Sequence, residues 1–216
     1  LKKIAYIEIM LESLKVKTEN LLEEVKIITK SEERNRSIIT KLKAIYRDCE
    51  SKYERTKKDY GPLCESIEKN FDNIDNRFKE FERLMDKNDY VSVEKLVLSL
   101  EQDINKLKVF LEKAPDLVII STLMIPNKIE ETNTLYYRMQ RDGYPLDYLN
   151  IEYNIKEIQT KVSTIIENLK SLELGESEIE LKTFLEYFNT LFNSFDKERE
   201  SKDIFRENIK KLKKKL

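Results

Sequence analysis

The sequence predicts an all-α fold of long antiparallel coiled-coil helices, and three observations predict it. Gly and Pro are scarce, 3 and 4 in 216 residues, while charged residues make up 38%. Few turn formers with abundant Glu, Lys, Leu and Ile is the composition of long helices. Apolar residues recur at alternating steps of four and three, the heptad signature of a coiled-coil seam. No stretch alternates with period two, so no sheet is expected.

Taken in order, the first helix is expected over about 2–87. Its seam runs Ile4, Ile7, Leu11, Leu14, then Leu21, Val25, Ile28, then Ile38, Leu42, Ile45. A second seam follows on the same expected helix: Leu63, Ile67, Phe71, Ile74, Phe78, Phe81, Leu84. Gly61-Pro62 lies between them. Pro removes a helical hydrogen bond, but the heptads resume directly, so a kink near 61–62 is expected rather than a reversal. Asp86-Lys87-Asn88-Asp89-Tyr90 stops the helix, and Asp89 can cap the next one at Val91.

The second helix, about 91–141, carries Val93, Leu96, Leu100, Ile104, Leu107 and Leu111, with kinks expected near Pro115 and Pro126. Asp142-Gly143-Tyr144-Pro145 is the strongest break, since Gly supplies a left-handed residue and Pro cannot continue the helix. The third helix, 149–172, has an uninterrupted seam of Ile151, Ile155, Ile158, Val162, Ile165, Leu169 and Leu172. Gly175 marks the next turn, and Ser177 with Glu180 has the spacing of a capping box. The fourth helix, 177–214, has an aromatic seam of Phe184, Phe188, Leu191 and Phe195.

Helices of fifty residues or more span about 75 Å, so the pairing follows from length. The turn near Asn88 pairs 60–87 with 91–118, and 32–58 then lies beside 119–143. The third helix returns along that pair, and the last runs out along residues 1–30. This is a staggered array of spectrin-like three-helix repeats, an elongated rod with no separate globular domain. Only two helices are accounted for near Asn88, so a helix from elsewhere is expected to cover that end.

The balance of charge, 40 basic against 41 acidic residues, argues against a nucleic-acid binder. There is no His, hence no imidazole base, no His-activated nucleophile and no His metal ligand. Three scattered Gly make no phosphate-cradling loop. The carboxylate pairs Glu32-Glu33 and Glu176 with Glu178 are expected as solvated helix charges. No catalytic residue, metal or cofactor is expected, and the chain is not expected to be an enzyme. Cys49 and Cys64 are expected on one helix over ~20 Å apart, beyond disulfide reach. No run of about 18 apolar residues is present to cross a membrane. The chain begins at Leu1, not Met, so it is expected to be a piece of a longer protein.

Three groups of residues are candidates for partner contact. Ser31-Glu32-Glu33-Arg34-Asn35-Arg36 interrupts the first seam with six polar residues, either as a solvated turn of helix or as a recognition patch of Glu32, Glu33, Arg34 and Arg36. Tyr136, Tyr137, Tyr144 and Tyr148 cluster at the Gly143 turn, where Tyr144 and Tyr148 either pack over the bundle end or form a binding knob. Lys210, Lys211, Lys213, Lys214 and Lys215 form a basic end, complementing a helix dipole or meeting an anionic partner.

Landmarks between the heptads carry a family resemblance. In order they are Ser31-Glu32-Glu33-Arg34-Asn35-Arg36, Leu42-Lys43-Ala44-Ile45-Tyr46-Arg47, Tyr60-Gly61, Asn88-Asp89-Tyr90, Glu112-Lys113-Ala114-Pro115-Asp116-Leu117, Pro126, and Tyr137-Arg138-Met139 ahead of Gly143-Tyr144-Pro145-Leu146. Over roughly residues 25–215 this resembles the bacterial septation ring formation regulators, the EzrA family. Asn88 stands where the family pattern has Gly, Tyr60 where it has Phe, and Pro62 and Pro145 are additional. The resemblance implies a cell-division scaffold and negative regulator of FtsZ ring formation, with FtsZ and other division or wall-synthesis proteins as partners; self-association is a separate expectation, that of a coiled-coil rod. It implies the cytoplasmic side of the bacterial membrane at the septum, reached through an N-terminal anchor absent from this chain. It carries over no site residue. The competing reading is a generic coiled-coil spacer or homodimerising rod.

Overall fold

A computed structural model describes residues 2–213, the side chains of residues 2, 3 and 5 apart. The described residues are helical in six α-helices with short connections. They are α1 (Lys2–Thr56), α2 (Cys64–Asp86), α3 (Tyr90–Ile119), α4 (Ile125–Arg141), α5 (Ile151–Lys170) and α6 (Ser177–Lys213). The fold is all-α, as composition and periodicity predict. The chain divides into two compact units: Leu1–Arg55 with Glu68–Lys108, and Thr56–Ile67 with Val109–Leu216.

In the first unit α1 and α2 are antiparallel. Lys43 Nζ meets Glu82 at 2.9 Å. The Tyr46 ring sits edge-on to Phe71 and Phe78, with centroids 5.6 and 5.4 Å away. Tyr53 packs on Phe71 and donates its hydroxyl to Glu68 at 2.9 Å. The partners on α2 fall in number as those on α1 rise. Arg77 of α2 bonds Ser99 and Asp103 of α3, and α1 residues Arg34, Asn35 and Ile38 line a cleft with Glu94, Val97 and Leu98 of α3. This is a three-helix bundle, and it corrects the sequence reading in three respects.

The expected helix 2–87 is two helices. Residues Lys57–Leu63 form a tight 3-10 segment in which Gly61 sits at φ +47°, ψ −116°, a conformation costly for a side-chain-bearing residue. Tyr60 and Leu63 on either side are fully buried. The chain reverses here rather than kinking, and Cys49 and Cys64 fall on different helices. Second, the end near Asn88 needs no helix from elsewhere, because residues 35–53 of α1 cover it. Third, the buried stripe of α1 is Asn35, Ile39, Leu42, Tyr46, Cys49 and Tyr53. Ile38 and Ile45 are half-buried flanks.

In the second unit α3 continues to Ile119 with Pro115 inside it. Proline cannot donate to the carbonyl four residues back, here that of Leu111. The Tyr60 hydroxyl donates to that carbonyl at 2.9 Å. A Phe at this position could not make the bond, and α3 runs without interruption through Pro115. An irregularity beside the second expected position, Pro126, is seen at Ile120–Met124, a π-turn in which the Ile125 amide donates to the Ile120 carbonyl. Ser121 and Thr122 hydroxyls donate to the Leu117 and Val118 carbonyls at 2.7 and 2.6 Å. Pro126, without an amide hydrogen, follows directly at the start of α4.

α5 returns antiparallel to α4, bringing Glu152 to the Tyr137 hydroxyl and Val162 and Ile166 into a cleft with Ile125 and Ile129. α6 runs parallel to α3 and α4: Lys113 meets Glu178 at 2.8 Å, and Lys128 lies 4.8 Å from the Phe192 ring centre. The α5 seam from Ile151 to Leu169 is buried throughout, as is the α6 seam from Leu181 to Phe195.

Three helices end in the same motif, with a left-handed residue after the last turn. At α2 it is Asn88 (φ +56°), inside the expected helix stop, and at α4 it is Gly143 (φ +72°), the left-handed residue expected there. At α5 it is Leu172 (φ +60°), and Gly175 (φ +45°) follows within the turn expected there. Asp89 caps α3 by accepting from the Ser92 amide at 3.1 Å. At α6 the first helical carbonyl is that of Glu176, so Ser177 lies one residue inside the expected cap.

Candidate interaction surface

The most exposed apolar surface of the first unit is the first half of α1. Ile4, Ile7, Leu11, Leu14, Leu21, Val25 and Ile28 are 44–64% exposed. These positions keep the heptad phase of the buried stripe: counting on from Ile28 in steps of four and three gives Glu32, Asn35, Ile39, Leu42, Tyr46, Cys49 and Tyr53. One stripe therefore runs the length of α1, covered by α2 and α3 from residue 35 onward and uncovered before it. The sequence predicts the last helix along residues 1–30; instead, nothing among the described residues buries the apolar side chains of that segment. The periodicity identifies the seam, and its role as open surface is visible only in the structure. Tyr6, Ile9 and Ile27 lie outside the stripe and are exposed as well.

Ser31–Arg36 marks the changeover. The helix is continuous through it. Glu32 and Arg36 pair at 3.0 Å, one turn apart, while Glu33 and Arg34 are exposed. Asn35 is 5% exposed, and its side-chain nitrogen lacks a hydrogen-bond partner among the described residues. The six polar residues are thus the place where α1 enters the bundle.

Tyr144 and Tyr148 belong to the second unit, so the structure does not gather all the candidate residues into one site. Both are tied to α6. Lys202 Nζ lies 3.8 Å from the Tyr144 ring centre and donates to the Asp142 carbonyl. The Tyr148 hydroxyl donates to Glu198 at 2.8 Å, and this bond raises its pKa. Leu146 is buried beneath the loop. The cluster packs over the bundle end, with Tyr148 still 61% exposed.

Beyond Phe195 the α6 stripe continues as Phe205 and Leu212, both exposed. Lys210, Lys211 and Lys213 lie in its last described turn, where cations complement the helix dipole; Lys214 and Lys215 lie outside the described residues. Glu178 is held between Lys113 and Lys182, each at 2.8 Å, and their hydrogen bonds bring its pKa down to about 2. A carboxylate locked in the charged form is not a proton carrier at neutral pH. Among the described residues no group of His, Cys, Asp and Glu side chains converges as metal ligands, and no helix is long and apolar enough to cross a membrane.

Comparison with known proteins gives a consistent result. The family model described as "Septation ring formation regulator, EzrA" matches residues 2–216. A septation ring formation regulator EzrA of Geobacillus sp. is 25% identical over 157 residues, covering 73% of this chain and 28% of the relative. That of Staphylococcus epidermidis is 23% identical over 185 residues, covering 79% and 33%. That of Bacillus velezensis is 26% identical over 144 residues, covering 66% and 25%. The chain thus spans about a third or less of the length of these curated relatives. No solved structure gives a significant match. With the family model matched across 2–216, the chain belongs to the septation ring formation regulator EzrA family.

Proposed function

We propose that this chain is part of a cell-division scaffold that restrains FtsZ ring assembly by protein–protein binding, without chemistry of its own. The observation that carries the reading is the family match across 2–216. The absence of His from the sequence is in keeping with it. The two bundles are proposed as consecutive spectrin-like repeats, with α3 contributing to both. The site of action is proposed as the cytoplasmic face of the division septum. Other division and wall-synthesis proteins are proposed as further partners.

The test is co-sedimentation of FtsZ polymers with the full-length protein lacking only its anchor. The expected outcome is saturable co-pelleting and less polymer at equal FtsZ. Unchanged polymer mass with no co-pelleting across a tenfold excess would overturn the reading and leave a coiled-coil spacer.

A further inference from the structure

The seam of α6 can be followed in steps of three and four from Leu181, Phe184, Phe188, Leu191 and Phe195 through Glu198 and Lys202 to Phe205, Ile209 and Leu212. The two charged positions are adjacent and have apolar positions on both sides. The five residues before them are buried, while Phe205 and Leu212 after them are exposed. Glu198 and Lys202 are themselves half-buried, and the connection between α4 and α5, residues 142–150, meets both. Lys202 sits at the C-terminal end of α4, where a cation complements the helix dipole. It donates to the Asp142 carbonyl and lies 3.8 Å from the Tyr144 ring centre. Glu198 accepts from the Tyr148 hydroxyl at 2.8 Å. Leu146, between the two tyrosines, is buried and anchors the connection.

We propose that the α4–α5 connection is a latch that sets the register of α6 in its bundle by admitting Glu198 and Lys202 in place of apolar seam residues. An apolar stripe alone leaves register open, because a heptad pattern looks the same after a slide of seven residues. In α6 such a slide, about 10 Å, would bring Phe205 and Ile209 under the latch. The six residues 171–176 that join α5 to α6 reach about 20 Å when extended, so the chain itself permits the movement.

The charged pair forbids it. Glu198 and Lys202 would move to the places of Leu191 and Phe195, which are 4% and 0% exposed, and would leave their partners behind; burying an unpaired charge is costly. The Tyr148 hydroxyl would lose its acceptor and the Asp142 carbonyl its donor. A slide in the opposite sense would carry Leu191 and Phe195 out of the core to those same polar groups. Polar residues within an apolar seam specify register at some expense of stability, and here two of opposite sign have matched sites in the connection. The latch is internal to the second unit and does not depend on what the scaffold regulates.

Carbodiimide cross-linking with peptide mapping reads the register, because Lys113 of α3 meets Glu178 of α6 at 2.8 Å and the slide would set Leu185 opposite Lys113 instead. The wild-type chain is expected to give the Lys113–Glu178 link. In Glu198→Leu/Lys202→Leu, which makes the seam apolar throughout, that link is expected to fall at least twofold with helicity and melting temperature undiminished. An undiminished link would overturn the proposal. So would a lower melting temperature, which would make the pair a source of stability rather than of register. Tyr148→Phe/Lys202→Met leaves the size of the seam unchanged and removes the polar bonds of the latch. Hydrogen–deuterium exchange of residues 196–204 is expected to be at least tenfold faster in it, with 181–195 unchanged. Equal exchange over 196–204 would overturn the latch as well.

Discussion

The two halves of α1 are one helix with one apolar stripe, yet they live in different surroundings. From Asn35 to Tyr53 the stripe is buried against α2 and α3; from Ile4 to Ile28 it faces solvent. Aliphatic residues make up nearly all of the exposed half, while the buried half adds Tyr46, Cys49 and Tyr53. Helicity and amphipathicity are therefore common to both, and neither decides which half is covered. That is decided by the reversal at Lys57–Leu63, which lays α2 back along the later half alone.

Placing a charge in each half separates them most sharply. Leu42→Asp puts an unpaired carboxylate where the side chain is 3% exposed, and should cost at least about 4 kcal/mol in urea unfolding. Leu14→Asp, at a position 64% exposed, should shift stability by no more than about 0.5 kcal/mol in dilute solution. Equal losses would mean that both halves are covered. Gly61→Ala acts on the reversal itself. Its φ of +47° disfavours a side chain, and an added Cβ would meet Val118 Cγ1 at 3.4 Å; a loss of about 2 kcal/mol is expected.

Tyr46→Phe sharpens the description of the buried half. Its hydroxyl donates to the Phe71 carbonyl at 3.2 Å, and Phe should cost about 1 kcal/mol at neutral pH. Burial, followed by the charges of Glu50 and Asp75, pushes the Tyr46 pKa well up. The fold holds the neutral phenol, so this contribution is complete below the ordinary tyrosine value of about 10 and is lost as pH rises above it. Alkaline unfolding followed by helical circular dichroism should therefore be steeper in the wild type than in Tyr46→Phe. The smallest effect is expected at the changeover. Arg36→Ala removes an exposed one-turn ion pair with Glu32 and should cost about 0.3–0.5 kcal/mol, diminishing with salt.

Features set by a few neighbouring residues are legible in the sequence. Asn88 and Gly143 adopt left-handed turns, Asp89 caps α3, and the α5 seam is buried from Ile151 to Leu169. The reversal at Gly61 is not legible, for a physical reason. A heptad pattern states which face of a helix is apolar and is silent on chain direction, so a hairpin and a kink leave the same stripe. The phase of α1 after the polar break is hidden because Ile38 and Ile45 are more hydrophobic than Tyr46 and Cys49, although the bundle buries the latter. Of the candidate surface, Ser31–Arg36 is legible as a polar break. That the seam before it is open follows from where the other helices end.

The hydrogen bond from Tyr60 to Leu111 has a consequence for how substitutions combine. The hydroxyl serves a carbonyl that Pro115 leaves without its helical donor. Tyr60→Phe alone strands that carbonyl, a loss of about 1–3 kcal/mol. Pro115→Ala supplies an amide hydrogen to the same oxygen, so the phenol becomes redundant and Tyr60→Phe costs less in that background. The two positions are thermodynamically one, although 55 residues of chain separate them. A double-mutant cycle should return a coupling energy on the order of 1 kcal/mol. What reads as a helix breaker at one point of the sequence is neutralised by one oxygen on the far side of a hairpin.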